Sequence, residues 1–353
     1  MRRITRITTV GIASAALALS ATACGKSSTD SGASPSSSDA KVTKAAIAYD
    51  IGGRGDQSFN DAAYAGLKKA EDELGVKGAE AEPSEGEGDA DKVQRLTALA
   101  RAGNNPVIGV GFAYAPAIEK VAKAYPKTTF GLIDDTSKTG PNIANLVFNE
   151  EQGSYLAGVA AAKTSKTGTV GFIGGVEVPL IKKFEAGFAQ GVKDTNPKAK
   201  VLVQYLTQPP NFDGFSKPDL GKAAAEGQIA NGADVIYAAA GLAGSGAIEA
   251  AATAGKWAIG VDSDQYNQAG LASYKDHILT SVTKDVSDSV FNVIKSVQDG
   301  KPQSGEIRYG LATDGVGLAD SNPAYKKMTE VTDAVAKAKQ DIIDGKITVK
   351  TAP

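Results

Sequence analysis

The chain has 353 residues, 42% hydrophobic and 22% charged, with a formal net charge of −2. That composition suits a soluble protein of about two domains with a large core, and it excludes the basic footprint of a nucleic-acid binder. One histidine, His277, and one cysteine, Cys24, exclude both an intrachain disulfide and a zinc site of the His/Cys type.

Residues 1–6 are basic and 10–23 are small and apolar, which reads as a secretory signal too short to span a membrane comfortably. It ends Leu19-Ser-Ala21-Thr-Ala23-Cys24-Gly25, small residues leading into the single cysteine. This resembles a bacterial lipobox, with Ala21 where that pattern prefers Leu. The resemblance implies cleavage before Cys24, diacylglycerol on its sulfur, and stable anchoring at a membrane surface. The alternative is an ordinary signal followed by an accidental cysteine. Residues 24–43 are rich in Ser, Thr, Gly and Ala and read as a flexible tether.

From residue 44 onward, strand-like runs at 44–49, 106–110, 128–133, 143–148, 168–173, 200–205, 234–239, 256–261 and 277–282 alternate with helical patterns. The helical patterns fall at 62–74, 90–102, 116–124, 151–162, 182–194, 219–230 and 246–254. Such alternation predicts parallel sheets covered by helices, and two sheets suit the length better than one of nine strands. The rhythm breaks after Lys284: 285–298 is helical, 306–311 a short strand, 315–320 irregular, and 324–344 a terminal helix. A P-loop is absent, and no G-x-G-x-x-G follows a strand, so no nucleotide cofactor is expected. A Ser-His-Asp triad would have to use His277, at the start of an apolar run, and no catalysis is expected.

The loop Asp50-Ile-Gly-Gly-Arg-Gly-Asp-Gln-Ser-Phe59-Asn60-Asp61 joins the first strand to the first helix. Its glycines let backbone turn tightly, and it offers an acid, a ring and an amide at a strand's carboxyl end, where open α/β sheets bind small molecules. Other strands lead into Asp134-Asp135, Gly241-Leu-Ala-Gly244-Ser-Gly246, Asp262-Ser-Asp264-Gln265 and Lys284-Asp285. Rings stack on a flat ligand, a carboxylate takes two hydrogen bonds at once and so suits a vicinal diol, and an amide reads a heterocycle edge. Together these groups suit a ribonucleoside. Acids outnumber the one lysine, which disfavours a phosphate-bearing ligand. Phe184 reads as core, because Ile181 and Phe188 share its helical face.

The series Asp50-x-Gly-Gly…Asp56-x-Ser-Phe59-Asn60, Ile133-Asp134-Asp135, Asn149-Glu-Glu-Gln-Gly-Ser-Tyr155, Gly171-Phe-Ile-Gly174-Gly175, Gly260-Val-Asp262-x-Asp264 and Thr280-Ser-Val-x-Lys284-Asp285 resembles the basic membrane lipoprotein family. These are substrate-binding lipoproteins of ABC transporters. The resemblance implies a type I periplasmic-binding-protein fold, with two Rossmann-like α/β lobes joined by a three-segment hinge. It implies capture of a nucleoside between the lobes and its delivery to a membrane permease. Phe59 would stack on the base, while Asn60 and Asp134 or Asp135 would bond its edge beside Asp50. Asp262 would take the ribose hydroxyls with help from Lys284, and the Gly241–Gly246 loop, Gly241 and Gly244 included, would approach the sugar with its backbone. The second stacking ring is Phe215 by spacing, with Phe212 the competitor. The expected divisions are 44–149 with about 284–303 for one lobe, 150–283 with about 304–318 for the other, and a C-terminal helix and tail at 319–353. An extracytoplasmic monomer without metal or cofactor is expected. A sugar receptor of the same fold and a surface sensor outside transport are the alternatives.

Overall fold

The computed structural model of the protein describes residues Val42–Pro353. The leader, most of the tether and Cys24 lie outside the described residues.

The first lobe opens with β1 (Lys44–Ala48), α1 (Phe59–Leu74), β2 (Lys77–Ala81), α2 (Asp89–Arg101), β3 (Val107–Gly109), α3 (Ala115–Ala124), β4 (Phe130–Ile133) and β5 (Ile143–Phe148). The chain then enters the second lobe through α4 (Glu150–Thr164), β6 (Thr169–Val176), α5 (Pro179–Thr195), β7 (Lys200–Thr207), α6 (Pro218–Ala230), β8 (Val235–Ala239), α7 (Ala243–Thr253), β9 (Trp257–Asp262) and β10 (Ile278–Lys284). It returns through α8 (Val286–Gln298) and β11 (Gly305–Tyr309), and ends with β12 (Val316–Leu318), α9 (Pro323–Lys326) and α10 (Thr329–Ile343). The sheets are ordered β11-β5-β4-β3-β1-β2 and β12-β10-β9-β8-β6-β7, parallel throughout except for β12 against β10. Three segments cross between the lobes: Asn149, Asp285 and residues 310–315. Two α/β lobes, each with its own six-stranded sheet and joined by three crossings, match the type I periplasmic-binding-protein architecture expected above.

Central strands are buried on both faces, so β1 and β8 read as unbroken apolar runs (Ala45–Ala48; Val-Ile-Tyr-Ala-Ala). Helices α4 and α5 meet backbone to backbone. A Cβ on Gly158 would lie 2.3 Å from the Phe188 carbonyl, and one on Gly187 would lie 2.1 Å from that of Glu151. Helix α8 packs on α1 in the same manner over Gly66, and so belongs to the first lobe.

Several sequence expectations need correction. The stretch 304–318 does not belong wholly to the second lobe. Residues of β11 pair with β5, from Gly305 with Ala144 to Tyr309 with Phe148, and the Tyr309 ring stacks on Phe148 at 5.2 Å. Only β12 joins the second sheet, and it does so as a strand within the stretch read as irregular. Strand β2 carries no sequence signal, because Lys-Gly-Ala-Glu-Ala on an exposed edge has no apolar alternation. The terminal helix is two helices. Asn322 caps α9 through a bond from Ala324 N at 2.8 Å, and after the break at 327–328 buried Tyr325 and the Val331–Val335–Ala338–Ile342 stripe of α10 join the same core.

Candidate functional site

The carboxyl ends of β1, β3 and β4 in one lobe face those of β8 and β9 in the other, and a cavity lies between them. Asp50, Phe59, Asn60 and Asp134 line it from the first lobe. Phe215, Gly241, Asp262 and Lys284 line it from the second.

The β1–α1 loop is built around Asp56, which is 2% exposed. Its Oδ1 accepts from Ser58 N and Asp61 N, and its Oδ2 accepts from Asn60 N and Asn60 Nδ2, at 2.8–3.1 Å. The carboxylate thereby ties down the open N–H groups at the start of α1, which sets Phe59 as the first helical residue facing the cavity. Asn60 is held at both ends: its Oδ1 accepts from Asp50 N at 2.9 Å while its Nδ2 donates to Asp56. The amide therefore orders the loop first and keeps one donor and one acceptor valence for anything in the cavity.

The charged floor joins both lobes. Lys284 Nζ donates to Asp134 Oδ2 at 2.5 Å, and lies 3.7 Å from Glu150 Oε1 and 4.8 Å from the Phe59 ring centre. Glu150 in turn lies 3.3 Å from Lys183. Both Asp134 and Asp262 adopt left-handed backbone (φ 69° and 63°), conformations that cost energy for a residue with a side chain and that recur at ligand sites. The Asp134 Oδ1 is buried and has no hydrogen-bond partner among the described residues. A buried carboxylate oxygen left unpaired is expensive, and a ligand N–H or O–H would satisfy it.

Burial pushes Asp50 and Glu150 up to about 7, and Asp56 up to about 6. Burial also raises Asp262, against the pull of Lys284. For Lys284 burial disfavours the charge, but the Asp134, Glu150 and Asp262 carboxylates outweigh it and hold the ammonium above its ordinary range. A carboxyl raised in the folded state supports folding below its ordinary pKa and loses that contribution as pH rises through the raised value. Asp50→Asn is therefore expected to raise the melting temperature relative to wild type at about pH 8 and to leave it nearly unchanged at about pH 4. Thermal unfolding at both pH values checks this, and equal shifts at the two would contradict it.

Two other expected residues do not reach the cavity. Asp135 folds back on its own loop, its Oδ1 accepting from Ser137 N at 2.7 Å and Ser137 Oγ at 2.6 Å. Gly244 lies in the first turn of α7 against Ala238, whereas Gly241 (φ 53°) turns at the cavity wall. Of the two competing rings, Phe215 lines the cavity, while Phe212 packs on Phe112 with ring centres 6.3 Å apart. Phe184 is 3% exposed and also borders the cavity, so it is both core and wall.

Sequence reasoning did not select Phe112 or Leu180, both of which line the cavity, nor the supporting groups Glu150, Asp56 and Ser58. The last three sit inside the quoted motifs. Phe112 gave no signal, because a short turn after β3 has no periodicity to read.

Phe215 can sit where it does because β6 carries glycine opposite it. A Cβ on Gly175 would lie 2.5 Å from Phe215 Cδ1. Gly175→Ala is expected to push the ring aside and weaken binding of a flat ligand by about tenfold, the value of one stacking wall. Titration of variant and wild type checks this, and unchanged affinity would remove Phe215 from the wall.

The description "ABC transporter substrate-binding protein PnrA-like", for the Bmp family, matches residues 43–352. A Listeria innocua protein named CD4+ T-cell-stimulating antigen is 38% identical over 94% of each chain. A Lactococcus lactis subsp. cremoris protein named ABC transporter nucleoside-binding protein BmpA is 36% identical over 87% of this chain and 88% of its own. Among solved structures, an ABC transporter solute-binding protein from Aeropyrum pernix K1 superposes with a TM-score of 0.75 and 28% identity, covering 88% of this chain and 93% of that one.

Proposed function

The chain belongs to the Bmp family of PnrA-like ABC transporter substrate-binding proteins, and on that premise we propose that it captures nucleosides, purine nucleosides foremost, in the cavity between its lobes. A family member of this kind takes a small-molecule ligand and hands it to a membrane permease. The observation that carries the nucleoside reading is the unpaired, buried Asp134 Oδ1 beside Lys284 and Phe59. It asks for a neutral ligand with N–H or O–H donors and a flat face. Asp262 offers the acceptor for ribose hydroxyls, and Phe59 and Phe215 offer apolar walls for a base. Four aspartates, Asp50, Asp56, Asp134 and Asp262, line the cavity with one ammonium, Lys284, so a phosphate would meet net repulsion. The nucleoside-binding name of the Lactococcus relative supports the same reading.

In this reading the protein is a monomer held outside the cytoplasm by lipid on Cys24. The ligand bridges two lobes and stabilises the closed state through contacts made only there.

Calorimetric titration tests the ligand. The protein is unfolded and refolded to strip carried-over ligand, then titrated with inosine, guanosine, adenosine, cytidine, uridine and ribose. Tight binding of a nucleoside with weak or no response to ribose is the expected result. Binding of ribose alone makes this a sugar receptor, and silence from all six removes the nucleoside assignment.

A further inference from the structure

Besides the Lys284–Asp134 bond, the Phe112–Phe212 contact and the exposed Lys217–Glu85 pair, the two lobes touch through a small hydrogen-bonded patch beside the cavity. Gln57 and Ser58, from the loop before α1, meet residues 261–270 of the second lobe. Ser58 is fully buried, and its Oγ donates to Asp262 Oδ2 at 2.6 Å, with the Val261 carbonyl farther off at 3.3 Å. Its own carbonyl accepts from Ser263 Oγ at 2.8 Å. The Gln57 carbonyl accepts from Gln265 Nε2 at 2.9 Å, and its side-chain Oε1 accepts from Gly270 N at 3.0 Å. A Cβ at Gly270 would lie 2.9 Å from the Gln57 amide, so a side chain there would displace it. Gln57 holds a left-handed φ of 55°, so the segment is strained to make this contact.

We propose that Ser58 is a positioning residue of the binding site, which clamps Asp262 from the opposite lobe and couples lobe closure to ligand capture. The hydroxyl occupies Oδ2 and fixes the carboxylate's rotation, so Oδ1 is the oxygen presented to a ligand. Asp262 is oriented only while Ser58 faces it, and Ser58 faces it only when the lobes are together. Opening therefore releases the carboxylate and the ligand in one step. Ser263, Gln265 and Gln57 hold the same patch through bonds that involve no cavity-lining side chain. The proposal rests on closure over a small molecule, but not on that molecule being a nucleoside.

The test uses full-length protein with Ser58→Ala and Ser263→Ala, the second keeping the cavity wall intact. Small-angle scattering of the ligand-free protein measures lobe separation and needs no ligand. Stopped-flow binding of inosine measures on- and off-rates. Both variants are expected to scatter as more open particles than wild type. Ser58→Ala is expected to release inosine about tenfold faster, as befits loss of a hydrogen bond to a charged group, with an association rate within about threefold of wild type. Ser263→Ala is expected to show a smaller rise in the same direction. Scattering identical to wild type in both variants overturns the clamp, as does a Ser58→Ala off-rate equal to wild type. Failure of inosine to bind wild type counts against the nucleoside reading instead, and leaves the scattering comparison to judge the clamp.

Discussion

Lys284→Met is expected to cost about 3–5 kcal/mol of folding stability, the range for removing one partner of a buried charge cluster. Lys284 is 4% exposed and is the cation nearest Asp134, with Glu150 also in its field and Asp262 raised by burial against its pull. Methionine fills much the same space, so the loss is electrostatic rather than a cavity effect. Without the ammonium, the carboxylates rise further in the folded state. Stability is then retained at low pH, where they can be protonated, and lost as pH rises through their raised values. Lys183 stays beside Glu150 at 3.3 Å and limits the damage there. Urea unfolding of both proteins at about pH 5 and about pH 8 measures it, with the larger deficit expected at the higher pH. A deficit under about 1 kcal/mol at both pH values would mean that the cluster does not depend on this lysine.

Asp262→Ala is expected to weaken ribonucleoside binding by at least about 30-fold, because truncating a buried, hydrogen-bonded charge costs about 2–5 kcal/mol. The residue ends β9 in a left-handed turn, with Ser58 on one oxygen and the cavity before the other. If that oxygen holds the ribose, the penalty must shrink for a ligand lacking the hydroxyls. Titration with inosine and with 2′,3′-dideoxyinosine separates the effects. An equal loss for both ligands would show that Asp262 acts through lobe closure alone.

The strand–helix rhythm was legible in the sequence because doubly covered parallel strands are written as apolar runs, as in β1, β6 and β8, and amphipathic helices lie between them. The pattern failed where a strand is exposed or very short: β2 has no apolar face, and β12 is three residues held by its neighbour β10. The return of β11 to the first sheet was invisible because partner choice depends on tertiary contacts such as Tyr309 on Phe148.

At the site, residue types at strand ends pointed to the cavity, but orientation did not follow from type. Asp134 and Asp135 are adjacent and chemically identical. One takes a left-handed φ and presents an unpaired oxygen to the cavity, whereas the other closes an Asx turn on Ser137. Likewise Phe215 reaches the cavity over Gly175, whereas Phe212, three residues earlier, packs on Phe112. The supporting acids Asp56 and Glu150 carry no signal of their own beyond their motifs, since their work is to hold N–H groups and a lysine already selected for other reasons.

The most direct test of capture between the lobes is a crystal structure of the refolded protein grown with a purine nucleoside. Density for the nucleoside in the cavity, with the base against Phe59 and Phe215, a donor on Asp134 Oδ1 and ribose hydroxyls on Asp262, is the predicted result. A nucleoside bound elsewhere on the surface, or a filled cavity in which Asp134 Oδ1 and Asp262 make no contact with it, would contradict the account.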